Sequence, residues 1–136
     1  MKEAQLQTLI VQWLDAALPA KSVIHHSPNE GRRHVAFQKK LRGLGTRWGW
    51  PDLELFVPPD GFWEQDMWRP LFLEVKTGRG RLTDNQRRMF RELRVCSCHV
   101  AEVRSISNVE GFLAPMVRLA TTGRASLIRQ LADAQQ

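Results

Sequence analysis

Two short apolar runs near the middle of the chain restrict its fold more than any other feature. Residues 51–57 read PDLELFV and residues 71–77 read LFLEVKT. Side chains alternate across a strand, so each run has two unlike faces. In the first, Asp52, Glu54 and Phe56 oppose Leu53, Leu55 and Val57; in the second, Phe72, Glu74 and Lys76 oppose Leu71, Leu73 and Val75. The connection from residue 58 is rich in turn formers, and Pro58, Pro59 and Gly61 predict no regular structure there. The two runs are therefore expected to pair as an antiparallel hairpin. In such a pair the start of one strand lies beside the end of the next. Asp52 then converges with Glu74 and Lys76 at one end, on one face if the register puts Asp52 opposite Glu74.

The rest of the chain supplies helices to cover that hairpin. In residues 2–18, Leu6, Leu9, Ile10, Trp13, Leu14 and Ala17 recur at helical spacing, and Pro19 stops the helix. Residues 21–27 predict a short strand, closed by the turn formers SPNEG at 27–31. Residues 32–45 predict a basic helix with Val35, Phe37, Leu41 and Leu44 inward, ended by Gly43 or Gly45. A glycine- and tryptophan-bearing loop, TRWGW, leads into the first strand of the hairpin. After a GRGR loop at 78–81, residues 82–95 predict a helix with Met89, Phe90 and Leu93 inward. A strand at 98–105, a helix at 107–120 broken by Pro115, and a short amphipathic helix at 123–136 complete the chain. The order α-β-α-β-β-α-β-α predicts a mixed α/β fold, a sheet flanked by helices, in one domain spanning 1–136.

At 136 residues the chain is long enough to bury a core without staples. Its formal charge of +6 favours a polyanionic partner, nucleic acid before an anionic membrane surface. Cys96 and Cys98 are too close for an unstrained bridge, and His25, His26, His34 and His99 show no zinc spacing. Two small thiols in a reducing compartment are expected. No apolar run approaches the roughly 18 residues of a membrane span, and no signal peptide precedes the first helix. The expected location is the cytoplasm, and a bacterial or phage source suits such a chain.

The acids on the strands carry the chemistry. Two carboxylates a few ångström apart repel unless a cation sits between them. Mg²⁺ takes oxygen ligands, typically one or two carboxylates with waters and a substrate phosphate. A nearby ammonium orients or helps deprotonate an attacking water and offsets charge in the transition state. That is the inventory for hydrolysing a phosphodiester. Against it stands a plainer reading, a charged strand end that discourages edge-to-edge aggregation. Asp52 on the neighbouring strand and the basic charge of the chain weigh for the catalytic one.

With GWPDLELF and LFLEVKTG, the chain resembles the PD-(D/E)XK nucleases, Pro51-Asp52 and Glu74-Val75-Lys76 being the two halves of the pattern. More narrowly it resembles the VRR-NUC group of virus-type replication-repair nucleases. The residues that carry this are Glu3 in the first helix, SPNEG at 27–31, the Gly-x-Pro-Asp turn at 49–52 and LTDNQ at 82–86. The resemblance covers about residues 1–105, leaving 106–136 as a helical extension. It implies a restriction-endonuclease-like core and a Mg²⁺- or Mn²⁺-dependent endonuclease that leaves a 5′-phosphate. It implies that Asp52, Glu74, Glu3 and the Val75 carbonyl hold metal, that Lys76 is the catalytic lysine, and that Gln86 completes the pocket. It further implies a homodimer acting on branched DNA such as four-way junctions. Two of these residues have competing readings. Gln86 also closes a Thr83-x-x-Gln86 capping box. Glu3 falls about 20° from Ile10 on an ideal helix, on the apolar face, or is a first-turn acid favoured by the helix dipole.

Basic residues flank the proposed site: Arg33, Lys40 and Arg47 before Asp52, Arg79, Arg81 and Arg87 after Lys76. They suit salt-sensitive, sequence-independent phosphate contacts. The glycine-flanked Arg79 and Arg81 fit that role better than Arg87, which also reads as part of a solvated helix face. Trp48 and Trp50 suit packing beside the turn more than base stacking. The alternative class is a basic DNA-binding or interaction module that keeps the scaffold without catalysis; a site-specific restriction enzyme would need more chain for target recognition.

Overall fold

The computed structural model describes residues 1–27 and 35–136. Among these, four strands form one sheet in the order β1-β2-β3-β4: β1 (Val23–His26), β2 (Leu53–Phe56), β3 (Leu71–Val75) and β4 (His99–Val103). The expected hairpin is present. β2 and β3 pair antiparallel with Leu53 opposite Leu73, Glu54 opposite Phe72 and Leu55 opposite Leu71. Continuing that register one step puts Asp52 opposite Glu74. β1 joins the other side of β2 antiparallel, and β4 lies parallel to β3. A parallel neighbour needs a crossover, and the helix α3 (Asp84–Val95) provides it.

Alternation along the strands divides the core in two. Leu53, Leu55, Leu71, Leu73 and Val75 join the larger cluster with Leu6, Ile10, Trp13, Leu14 and Ala17 of α1 (Glu3–Ala17). The same cluster takes in Ile106, Val109 and Leu113 of α4 (Ile106–Leu113) and Ala125, Ile128 and Ala132 of α5 (Arg124–Ala134). On the opposite face Phe72 and Val100 pack with Met89, Phe90 and Leu93, the three residues expected to point inward from α3.

Three expectations need correction. The helix α2 (Val35–Gly43) buries none of its residues. Val35 is 64% and Leu44 75% exposed, and Phe37 is exposed as well. Its apolar spacing is helical, but no second apolar surface covers it among the described residues. The start of that helix expected at 32–34 lies outside the described residues. The connection between β2 and β3 contains two 3₁₀ turns, Pro59–Gly61 and Gln65–Met67. Pro59 opens the first, where its fixed φ is already suitable and its missing N–H costs nothing. Finally, α4 stops at Leu113 and does not resume past Pro115. Residues 116–118 instead receive that connection: Trp63 N–H donates to the Met116 carbonyl at 2.9 Å and Arg118 N–H to the Gly61 carbonyl at 2.8 Å.

Candidate active site

Glu74 is 2% and Lys76 8% exposed, the two buried charged residues among those described. Both lie at the end of β3 on the side of the sheet covered by α3. Asp52 is clamped across the hairpin by reciprocal bonds. Its N–H donates to Glu74 Oε2 at 3.2 Å, and its Oδ2 accepts from the Val75 N–H at 2.8 Å. Lys76 Nζ lies 3.6 Å from Glu74 Oε1. The same oxygen accepts a 2.8 Å bond from Gln86 Nε2.

Gln86 makes the capping box and also reaches Glu74 with the same side chain. Its Oε1 accepts from the Thr83 N–H at 2.9 Å, while the Gln86 N–H donates to Thr83 Oγ1 at 3.2 Å, which makes the capping box. The remaining amide group points at Glu74. Gly49 makes this approach possible: at φ +80° it lies so close to α3 that a Cβ there would sit 2.3 Å from the Asn85 carbonyl oxygen. The turn carrying Asp52 is thus pressed on the first turn of the helix carrying Gln86.

Burial pushes the Glu74 carboxyl up to about 8, and the Asp52 charge and a side-chain hydrogen bond to Asp52 push the same way. Lys76 pulls it down. Burial disfavours the charged form of Glu74 and the Asp52 charge adds to it, so that together they outweigh the attraction of the Lys76 ammonium.

Glu54, one step further along the same face, has the opposite outcome. Burial raises it, but bonds from Ser27 Oγ, Trp50 Nε1 and His25 Nδ1 to its Oε1, at 2.5, 3.0 and 3.4 Å, leave it below the usual carboxylate range. Trp50 is accordingly a packing residue, edge-on to Phe72 with ring centroids 5.4 Å apart.

Glu3 does not point into the core as its helical position suggested; it is exposed. Its carboxylate nonetheless turns towards the site. A Cβ on Gly80 would lie 3.4 Å from Glu3 Oε2 and 3.6 Å from Lys76 Cδ, and Glu3 and Asp52 line one groove of about 410 Å³. Helical periodicity gave the direction relative to Ile10 but not the bend of a side chain at the first turn. Val75 contributes its N–H to Asp52, its side chain being buried in the larger cluster.

The expected DNA-contacting residues divide. Arg79 and Arg81 are exposed and line an open cleft of about 860 Å³ with Arg87. Arg47 donates to its own loop, at the Arg42 and Thr46 carbonyls, and Lys40 is exposed on α2. Arg33 lies outside the described residues, as does the SPNEG turn from Pro28 onward. Sequence reasoning missed Arg104, which lines the same cleft. No spacing signal marks it, since it reads as the end of a strand. Among the described residues no group of three or more His, Cys, Asp or Glu side chains stands ready to hold a metal. No helix there is long and apolar enough to cross a membrane.

A four-stranded mixed sheet flanked by helices, with an acid pair and a lysine at the ends of its central hairpin, is the arrangement of a PD-(D/E)XK-type fold. The chain belongs to the VRR-NUC domain family, whose pattern matches residues 1–106. Two solved structures share the fold. One, a VRR-NUC domain protein, is 22% identical with a TM-score of 0.64, covering 88% of this chain and 91% of the other. The second, a VRR-NUC domain, is 19% identical with a TM-score of 0.54, covering 82% and 94%. No curated protein matches the chain. The family is one of nuclease domains, which gives a nuclease-type role in DNA processing.

Proposed function

We propose that the chain is a Mg²⁺- or Mn²⁺-dependent endonuclease that cuts branched DNA such as four-way junctions, working as a homodimer. The observation that carries this reading is the convergence of Asp52, Glu74, Lys76 and Gln86 at one end of the β2–β3 hairpin. The donor set fits a hard divalent ion: two carboxylates are held together at a cost that a cation would relieve, with the Glu3 carboxylate nearby. Asp52, Glu74, the Val75 carbonyl and Glu3 are the residues that would hold it. Such an ion, when bound, supplies Lewis-acid polarisation of a phosphoryl oxygen and a more acidic water.

The chain's own residues do the rest. Lys76, fixed against Glu74, presents its Nζ to orient the attacking water, accept its proton or offset charge on the phosphoryl oxygens. Gln86 and the Asp52 N–H fix the orientation of the Glu74 carboxylate, so that its position is set before substrate arrives. Arg79 and Arg81 hold the backbone alongside. One small domain cuts one strand, and a twofold pair suits symmetric cleavage of a junction.

The test is a cleavage assay with Mg²⁺ and with Mn²⁺ over four-way, flap, splayed and linear substrates, beside a binding assay. Wild type is expected to cut the junction, while Asp52→Ala and Lys76→Ala bind it without cutting. Undiminished cleavage by both variants would overturn the site. Salt-sensitive binding with no metal-dependent product from wild type would leave a non-catalytic DNA-binding module.

A further inference from the structure

The cleft beside the site contains four arginines, and their contacts divide them into two kinds. Arg104, half-buried just beyond β4, donates from Nη1 to the Gly78 carbonyl at 3.2 Å and from Nη2 to the Gly80 carbonyl at 2.5 Å. The same Nη2 pairs with Glu102 Oε1 at 2.5 Å. Arg87, across the cleft on α3, donates from Nη1 to the Leu82 carbonyl at 2.7 Å and pairs with Asp84. Alternate carbonyls of the 78–82 loop are thus tied down from two sides. Between the tied residues sit Arg79 and Arg81, exposed and with no side-chain hydrogen bond or ion pair among the described residues. Glu102 and Asp84 compensate the two tied guanidinium groups, so Arg79 and Arg81 are the cleft's uncompensated cations.

We propose that Arg104 and Arg87 are positioning residues that shape the 78–82 loop, and that, of the four, Arg79 and Arg81 contact the DNA backbone, each at a phosphate near the cleavage site. The second half rests on the reading of the chain as a DNA nuclease. A guanidinium suits the strut role because its planar fork holds two fixed acceptors at once, two carbonyls for Arg104 and a carbonyl and a carboxylate for Arg87, whereas an ammonium is a compact point charge. Adjacency to the site follows from Gly80, which lines the cleft and lies against the Lys76 stem. Gly80 also turns the loop, its N–H donating to the Thr77 carbonyl at 2.9 Å.

Charge-conserving swaps separate the two kinds. Binding of a four-way junction is measured in EDTA over a salt series, and hydrogen exchange of the 78–82 amides is followed in the DNA-free protein. Arg79→Ala and Arg81→Ala should each flatten the log–log salt slope by roughly 0.9, the value for one lost duplex phosphate contact, while Arg79→Lys and Arg81→Lys keep it. Arg104→Lys should lose as much affinity as Arg104→Ala and speed exchange in 78–82 without changing it in α1. Arg87→Lys, on the exposed start of α3, asks the same of the second strut should the Arg104 variants fail to fold. Wild-type affinity and loop exchange in Arg104→Lys, or in Arg87→Lys, would overturn the strut assignment. An unchanged salt slope in the Arg79→Ala/Arg81→Ala double variant would overturn the phosphate contact. If wild type binds no DNA, the nuclease reading and the phosphate contact fall together, and loop exchange still decides the struts.

Discussion

Leu73 and Glu74 are consecutive in the chain, both fully buried, and end on opposite sides of β3. Leu73 joins a cluster in which α1, α4 and α5 close one face of the sheet with aliphatic side chains. Glu74 lies on the face where α3 covers only part of the surface and leaves room for two acids, a lysine and an amide. The first face carries most of the apolar burial and so most of the stability, which is non-directional and tolerant. The second carries bonds of fixed geometry, which do little net work for folding and suit the chemistry proposed for that face. A sheet with a two-residue period lets one strand serve both without compromise.

The sharpest way to break this contrast is to substitute neighbours. Lys76→Met should reduce cleavage by about 10²–10⁴-fold, the range for a lost acid–base group, with a melting temperature close to wild type. Leu73→Ala should instead cost about 2–5 kcal/mol of unfolding free energy while the remaining folded protein cuts normally. Loss of both properties in either variant would mean that the faces are not separable. Gln86→Glu comes next: it keeps the acceptor for Thr83 but loses the donor to Glu74, and should lower cleavage about 10–100-fold with the helix intact. Full activity there would reduce Gln86 to a cap.

A last test is a pH dependence. Glu74, raised to about 8 in the folded protein, keeps a proton that the unfolded chain releases near 4.5. The folded state therefore binds more protons across that window, and metal-free stability falls as pH rises through it. Melting curves of wild type should show that slope, and Glu74→Gln should flatten it. Glu54 has the opposite sign, since its lowered carboxyl adds stability above the ordinary value that is lost as pH falls. Removing a divalent ion with EDTA should lower the melting temperature most at the top of the Glu74 window, where its proton is easiest to displace.

The hairpin was legible because period-two alternation encodes both pairing and facing. Asp52 and Glu74 share a face because only an even register buries the aliphatics of 53–55 and 71–73 together, and the observed one sets Leu53 opposite Leu73. The inward residues of α3 were legible for the same local reason at helical period. The outward-facing α2 was not, since Val35, Phe37 and Leu44 have the spacing of a packed helix and only the tertiary arrangement says what they meet. Arg104 was illegible because its contacts reach back across 24 and 26 residues to loop carbonyls, which leave no trace in side-chain pattern. Glu54 lay between the two cases: its face followed from alternation, but the donors from Ser27, Trp50 and His25 did not.

One amide on Gln86 both begins α3 and steadies Glu74. Helix ends are where native proteins open most readily. When the first turn of α3 frays, the acid loses its donor in the same event, so the breathing of that turn and the readiness of the site are one motion. Amide exchange at Thr83 and Gln86 would then report, residue by residue, the fraction of time Glu74 keeps its donor.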